Sequence, residues 1–186
     1  MNAQTKTLFT TKEIVLCGMF AGLLAVVSQI SLPMPTGVPI TIQLFAVALT
    51  GVVLGPRLGC IATIVYIVLG AVGLPIFSNF RGGLQVLTNV TGGYLWAWPA
   101  MAALCGIRPQ SESRLYNTGI HFICSVIGLI LVETIGGLRW YALAGDKTLG
   151  AILTYSLVAF VPKDFILTVT AVIVGTQVKN NIKKGL

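Results

Sequence analysis

Charge is what this sequence has least of. Of its 186 residues only 9% are charged and 55% are hydrophobic, whereas a soluble domain carries about 25% charged residues. Acids are scarcest: Glu13, Glu112, Glu133, Asp146 and Asp164 stand against twelve Lys and Arg. A chain so composed cannot hydrate a surface on every side, and it reads as a polytopic membrane protein. Histidine is nearly absent. The single imidazole, His121, reads as a hydrogen-bonded packing residue rather than a ligand or an acid/base group. Cys17, Cys60, Cys105 and Cys124 fall one to an apolar block with no C-x-x-C spacing, which points to buried, inert thiols and to no metal site. There is no H-E-x-x-H, and no G-x-S-x-G with a partnered histidine and acid, so no enzyme is visible. There is also no G-x-x-x-x-G-K-[ST], so the chain has no ATPase loop of its own. Uphill movement of a solute would need energy from a partner or an ion gradient. The apolar blocks also lack the alternation of a membrane β-barrel.

What is present is a series of apolar blocks punctuated by proline, glycine and charge. They predict an all-α fold, a single integral membrane domain over residues 1–186, with six helices near 12–31, 40–55, 57–72, 91–107, 115–138 and 148–178. Lys6 and Lys12 precede the first block as in a signal peptide, but Glu13 intervenes and SQISLPMPTG offers no small-residue cleavage site, so this helix is expected to be retained. Six spans put both termini on one side. That side then holds Lys6, Lys12, Arg57, Arg108, Arg114, Lys179, Lys183 and Lys184; Arg81, Arg139 and Lys147 fall on the other. The positive-inside rule makes the first side cytoplasmic. The net charge of +7 is thereby assigned to membrane edges and lipid headgroups, and no nucleic acid is implied. Two loops face outward. The first, 31–40, is stiffened by Pro33, Pro35 and Pro39, and the second, 73–92, is too long for a plain connector, so both are expected to cover a site.

Three ionisable residues are left at membrane depth: Glu133, Lys163 and Asp164. A charge at the centre of a spanning helix costs about 2.5 to 3.5 kcal/mol and ordinarily faces the bundle interior with a partner. Lys163 and Asp164 are consecutive, about 100° apart on a helix, and are not expected to satisfy only one another. Pro162 removes a donor beside them and is expected to free carbonyls near Val158 and Ala159. A cavity here would offer a cation for a carboxylate and an anion for N–H donors; the alternative is an interhelical network such as Lys163 with Glu133. The loop SNFRGGLQVLTNVTGGYLW adds Asn79, Arg81, Gly83, Gln85 and Tyr94, which mix hydrogen bonding, aromatic surface and close backbone approach. Tyr94, Trp96 and Trp98 can alternatively form an interfacial aromatic belt. Gln29 and Gln43 either line the pocket or cap helix ends. On the first helix, Cys17, Ala21 and Ala25 form one stripe and Gly18 and Gly22 the next, a spacing that serves internal packing or docking of a second membrane protein.

VPITIQLFAVALTGVVLGPRLG (38–59), YIVLGAVGLPIFSNFRGGLQVLTNVTGGYLWAW (66–98) and FVPKDF (160–165) closely resemble the BioY family, the biotin-specific S components of energy-coupling-factor transporters. The resemblance covers most of residues 14–178. It implies a six-helix subunit of a bacterial cell membrane that captures biotin from the outer side and has no cofactor. It also implies association with a transmembrane coupling subunit and two cytoplasmic ABC-type ATPases, with the stripe Ala21-x-x-x-Ala25 as the docking surface. Biotin's apolar thiophane, ureido group and carboxylate match the inventory above, with Asp164 or Asn79 meeting the ureido N–H groups and Lys163 or Arg81 an acceptor. A self-sufficient proton-coupled carrier using Glu133, Asp164 and Lys163 is the alternative.

Overall fold

The computed structural model describes residues 9–34, 38–109, 114–143, 145 and 148–184. Lys6, Pro35, Glu112, Asp146 and Lys147 lie outside the described residues, as do the side chains of Arg114, Lys183 and Lys184. In chain order the elements are α1 (Thr11–Val27), β1 (Ser31–Leu32), β2 (Ile40–Thr41), α2 (Gln43–Leu54), α3 (Pro56–Ala71), a 3-10 turn (Ser78–Phe80), α4 (Leu84–Thr88), α5 (Gly92–Gly106), α6 (Arg114–Leu143), α7 (Leu149–Ala159) and α8 (Val161–Lys184). Two of these helices, through Tyr116–Leu143 and Val161–Lys179, are long and apolar enough to cross a membrane.

Local chemistry accounts for the helix ends. α1 opens on a capping box: the Thr10 hydroxyl accepts from the Glu13 amide at 3.3 Å, and the Thr10 amide donates to the Glu13 carboxylate at 2.8 Å. Gly55, with φ +89°, closes α2 and lets Pro56 begin α3 at once, so GPRLG is a tight helix–helix turn. The strands form a two-residue antiparallel ladder, Ser31 opposite Thr41 and Leu32 opposite Ile40, where the sequence predicts only a proline-stiffened loop in an all-α fold.

Two helices depart from their expected bounds, and one loop holds a helix of its own. The helix expected over 148–178 is broken at Phe160 into α7 and α8. Pro162 has no N–H, and its ring would collide with the Val158 carbonyl in a continuous helix, so the chain restarts there with Pro162 in the first turn of α8. Val158 and Ala159, where freed carbonyls were expected, are not among the residues lining the cavity described below, and Val158 is exposed. α6 runs to Leu143 and so carries Arg139, expected in an outer loop, on a helix beside the buried Trp140. The second outer loop contains α4.

Contacts between residues distant in sequence define two ends of the bundle. One end, here the terminal end, gathers the start of α1, the α2–α3 turn, the close of α5, the start of α6 and the close of α8. Lys179 donates to the Val52 carbonyl (3.2 Å), His121 Nε2 lies 2.8 Å from the Cys105 carbonyl, and Arg108 donates to Thr176 Oγ1 (2.8 Å). The first two place a basic side chain on the last turn of a neighbouring helix, where the helix dipole is negative. At the opposite end, the loop end, Gln29 holds the second loop: its carbonyl oxygen accepts from the Phe80 amide (2.9 Å) and its amide donates to the Ile76 carbonyl (3.2 Å). That settles Gln29 as a brace for a turn in which Asn79 and Phe80 both have positive φ, 59° and 55°.

The main core joins α1, α2, α3, α5, α6 and α8 through small and medium side chains such as Ala46, Ala48, Val52, Ala97, Ala102 and Ala171. A second cluster, Val38, Trp140, Ile152 and Phe160, sits at the loop end between the first loop, α6, α7 and α8. Large apolar side chains point outward along the helices, among them Val15 and Met19 on α1, Val68 on α3, Ile123 and Ile130 on α6, and Ile166 and Ile173 on α8. A surface of that kind suits hydrocarbon as its solvent.

Candidate ligand-binding site

Between the two clusters lies a cavity with about 610 Å³ of empty space, its open mouth included. Its walls come from elements far apart in sequence: Val38, Pro39 and Thr41 of the hairpin, Gln43 and Leu44 of α2, Phe77, Ser78, Arg81 and Val86 of the second loop, Thr91, Tyr94, Leu95 and Trp98 of α5, Glu133 of α6, and Phe160, Lys163 and Asp164 at the start of α8. The break at Phe160 positions the last group. Asp164 occupies the first turn of α8, where the dipole favours an acid.

Lys163 and Asp164 form an ion pair, with the Asp164 carboxylate accepting from Lys163 Nζ. Nζ also donates to the Thr41 carbonyl of β2 at 2.8 Å, which ties α8 to the hairpin. The two side chains thus pair directly despite their angular separation, because the lysine stem is long enough to fold back; Thr41 supplies the further partner. Asp164 is 5% exposed. Across from it the Glu133 carboxyl comes within hydrogen-bonding reach, and Glu133 Oε2 has no partner on the protein. Around this polar wall stand Phe77, Tyr94, Trp98 and Phe160. Tyr94 meets Phe160 edge to face at 6.3 Å, and Tyr66 stacks behind Trp98 at 6.0 Å. Ser78 Oγ donates to Gln43 Oε1 (3.1 Å), so Gln43 lines the cavity. Thr91 Oγ1 and Trp98 Nε1 are buried without a hydrogen-bond partner on the protein.

Of the site residues read from sequence, the fold brings Arg81, Tyr94, Glu133, Lys163 and Asp164 to one cavity. Asn79, Gly83 and Gln85 are not on its wall. Asn79 is exposed in the strained turn, where its side chain accepts from Ser31 Oγ (3.1 Å); Gly83, at φ +94°, starts α4; Gln85 is exposed and donates to the Gly82 carbonyl (2.6 Å). Their polar groups are spent on folding the loop. Arg81 is shared: its Nε donates to the Ser78 carbonyl (3.1 Å) while the residue lines the mouth. The residues that sequence reasoning left out include Thr41, Phe77, Ser78, Thr91 and Phe160, with Trp98 assigned only to a belt. The signal for α5 was available, since 91, 94, 95 and 98 follow the helical spacing of one face.

The two small-residue stripes of α1 differ in exposure. Ala21 is 3% exposed and packs in the main core with Cys17 and Leu24, with Ala25 partly buried beside it. The small residues that α1 turns outward are Gly18 and Gly22, around which an added methyl would meet nothing within 4 Å. Cys17 and Cys105 are buried, and among the described residues no three His, Cys, Asp or Glu side chains gather as a metal set.

Such a cavity combines aromatic walls, an ion pair, a second carboxyl and unspent hydrogen-bonding groups. It fits a small ligand with an apolar body and polar ends. Comparison with known proteins agrees in kind. A family model described as the BioY family matches residues 1–184. The chain is 33% identical over 170 residues to a probable biotin transporter BioY of Pyrococcus horikoshii, covering 91% of this chain and 98% of that one. It is also 33% identical over 170 residues to the biotin transporter BioY of Thermotoga maritima, covering 90% and 96%, and 33% identical over 177 residues to that of Rhizobium etli, covering 91% and 94%. Among solved structures, the S-component for biotin from an ECF-type ABC transporter superposes with a TM-score of 0.78 at 22% identity, over 97% of this chain and 95% of the other, so the two share a fold. With its outward apolar surface, its cavity and these matches over nearly its whole length, the chain is a membrane protein that belongs to the BioY family.

Proposed function

We propose that this chain is the substrate-capturing S component of an ECF-type vitamin importer and that its ligand is biotin, held in the cavity at the loop end. The observation that carries this reading is the Lys163–Asp164 couple, set with Glu133 among Phe77, Tyr94, Trp98 and Phe160. Asp164 accepts from a ureido N–H, the fused rings pack against the aromatic walls, and the valerate carboxylate lies toward Arg81 at the mouth. The names of the relatives and the shared fold support the ligand and the role.

In the membrane, α1, α2, α3, α5, α6 and α8 serve as six spans, with α4 and α7 capping the loop end. The terminal end, which bears Arg57, Arg108 and Lys179, faces the cytoplasm by the positive-inside rule. The loop end then opens outward in a bacterial plasma membrane. A transmembrane coupling subunit and two ABC-type ATPases supply the energy, and the outward Gly18-x-x-x-Gly22 stripe of α1 is the face open to the coupling subunit.

The test is to purify the chain from cells grown on labelled biotin. Label retained at one equivalent per chain is the expected result, and a preparation free of label rejects the reading. Because Glu133 and Asp164 face one another, a proton-coupled carrier is the second reading. Uptake into liposomes by this chain alone, driven by a pH gradient, would favour it.

A further inference from the structure

The inner part of the cavity holds a donor that the contacts above leave unused. Thr91, Tyr94, Leu95 and Trp98 present one face of α5 to the ligand space. Because α5 runs from the loop end toward the terminal end, Trp98 is the deepest of the four. It is 3% exposed, and its ring is held flat against Tyr66, with 28° between the planes. Its Nε1 is buried without a partner. The Tyr66 hydroxyl donates to the Ile76 carbonyl at 3.0 Å, Ser78 donates to Gln43, and Lys163 to Thr41; Thr91 Oγ1 and the Tyr94 hydroxyl are also buried without a partner, but a hydroxyl can accept as well as donate.

An indole nitrogen can only donate, and folded proteins leave few buried donors unmatched. Its complement must therefore be an acceptor brought by the ligand. Biotin carries three kinds. Its carboxylate is charged and costly to bury away from the mouth. Its thioether sulfur is a weak acceptor. The ureido oxygen is neutral and strong. We infer that Trp98 is a specificity-determining residue of this site: its Nε1–H donates to the ureido oxygen at the closed end, while Asp164 accepts from the flanking N–H. This inference rests on the reading of the cavity as a biotin site. A site built around such a donor rejects an analogue with a poorer acceptor more strongly than an apolar pocket could.

The experiment compares biotin with its 2-thio analogue, in which C=S replaces the ring C=O and accepts weakly, on the wild-type chain and on Trp98→Phe in detergent. Trp98→Phe is expected to lower biotin affinity about tenfold, the scale of one hydrogen bond, and affinity for the thio analogue less than about twofold. Equal losses for the two ligands, or no loss for biotin, overturn the assignment and leave Trp98 as a packing residue. Wild-type protein that holds no biotin at all sinks the reading of the cavity and this inference together. Should Trp98→Phe not fold, placing benzothienylalanine at position 98 keeps the ring volume, removes only the N–H, and reads the same ratio.

Discussion

Two pairs of glycines, one pair at each end of the bundle, make different use of a missing side chain. At the terminal end Gly51 lies against the Ala102 backbone and Gly106 against Pro56, so that α2, α3 and α5 touch main chain to main chain. At the loop end Gly136 receives the ring of Tyr94, and Gly70 receives the ring of Phe77. In the first case the missing side chain closes a gap between helices. In the second it makes room for an aromatic ring that walls a cavity. Main-chain contact at one end thus accompanies a ring-lined cavity at the other, and α2, α5, α6 and α8 run through both.

This contrast can be broken at its strongest point first. Gly51→Val drives a side chain into the Ala102 carbonyl where neither backbone can give way, and is expected to cost about 3 kcal/mol of stability. Thermal unfolding in detergent should fall sharply, with ligand affinity in the surviving folded fraction little changed. Asp164→Asn probes the other half. It strips Lys163 of its counter-charge and removes an ionised acceptor, so biotin affinity measured by calorimetry is expected to drop by about 2 kcal/mol, roughly thirtyfold. Its melting temperature should move less than that of Gly51→Val. Unchanged affinity would remove Asp164 from the site. Gly136→Ala sharpens the comparison, because its methyl displaces only the Tyr94 ring; about 1 kcal/mol of affinity should be lost with a smaller change in stability. If this substitution instead behaves like Gly51→Val, the two ends are packed alike and the distinction fails.

Much of the helical content was legible because apolar blocks and their punctuation are local properties. The break at Phe160 was legible in principle as well: V-P-K-D has proline and acid in the order of a helix start, a signal obscured by the continuous apolar run on both sides. The site divides along a similar line. Lys163, Asp164 and Glu133 stand out because ionisable groups are costly among apolar neighbours. Asn79 and Gln85 look equally polar, but their side chains are consumed within the loop by Ser31 and the Gly82 carbonyl, an outcome that depends on backbone geometry. The α1 stripes turn on a related point. Two small-residue stripes lie side by side, and only the packing of Cys17, Ala21 and Leu24 into the core decides that the glycine stripe faces out.

The bond from Lys163 to the Thr41 carbonyl joins residues 122 positions apart. Closing so long a stretch sacrifices chain entropy that no single contact recovers, and only the intervening helices, already docked, reduce that loss. The receptor is accordingly a product of complete assembly. A chain ended before Val161 would keep the hairpin, Arg81 and Glu133, yet it would have lost the Lys163–Asp164 pair from its pocket.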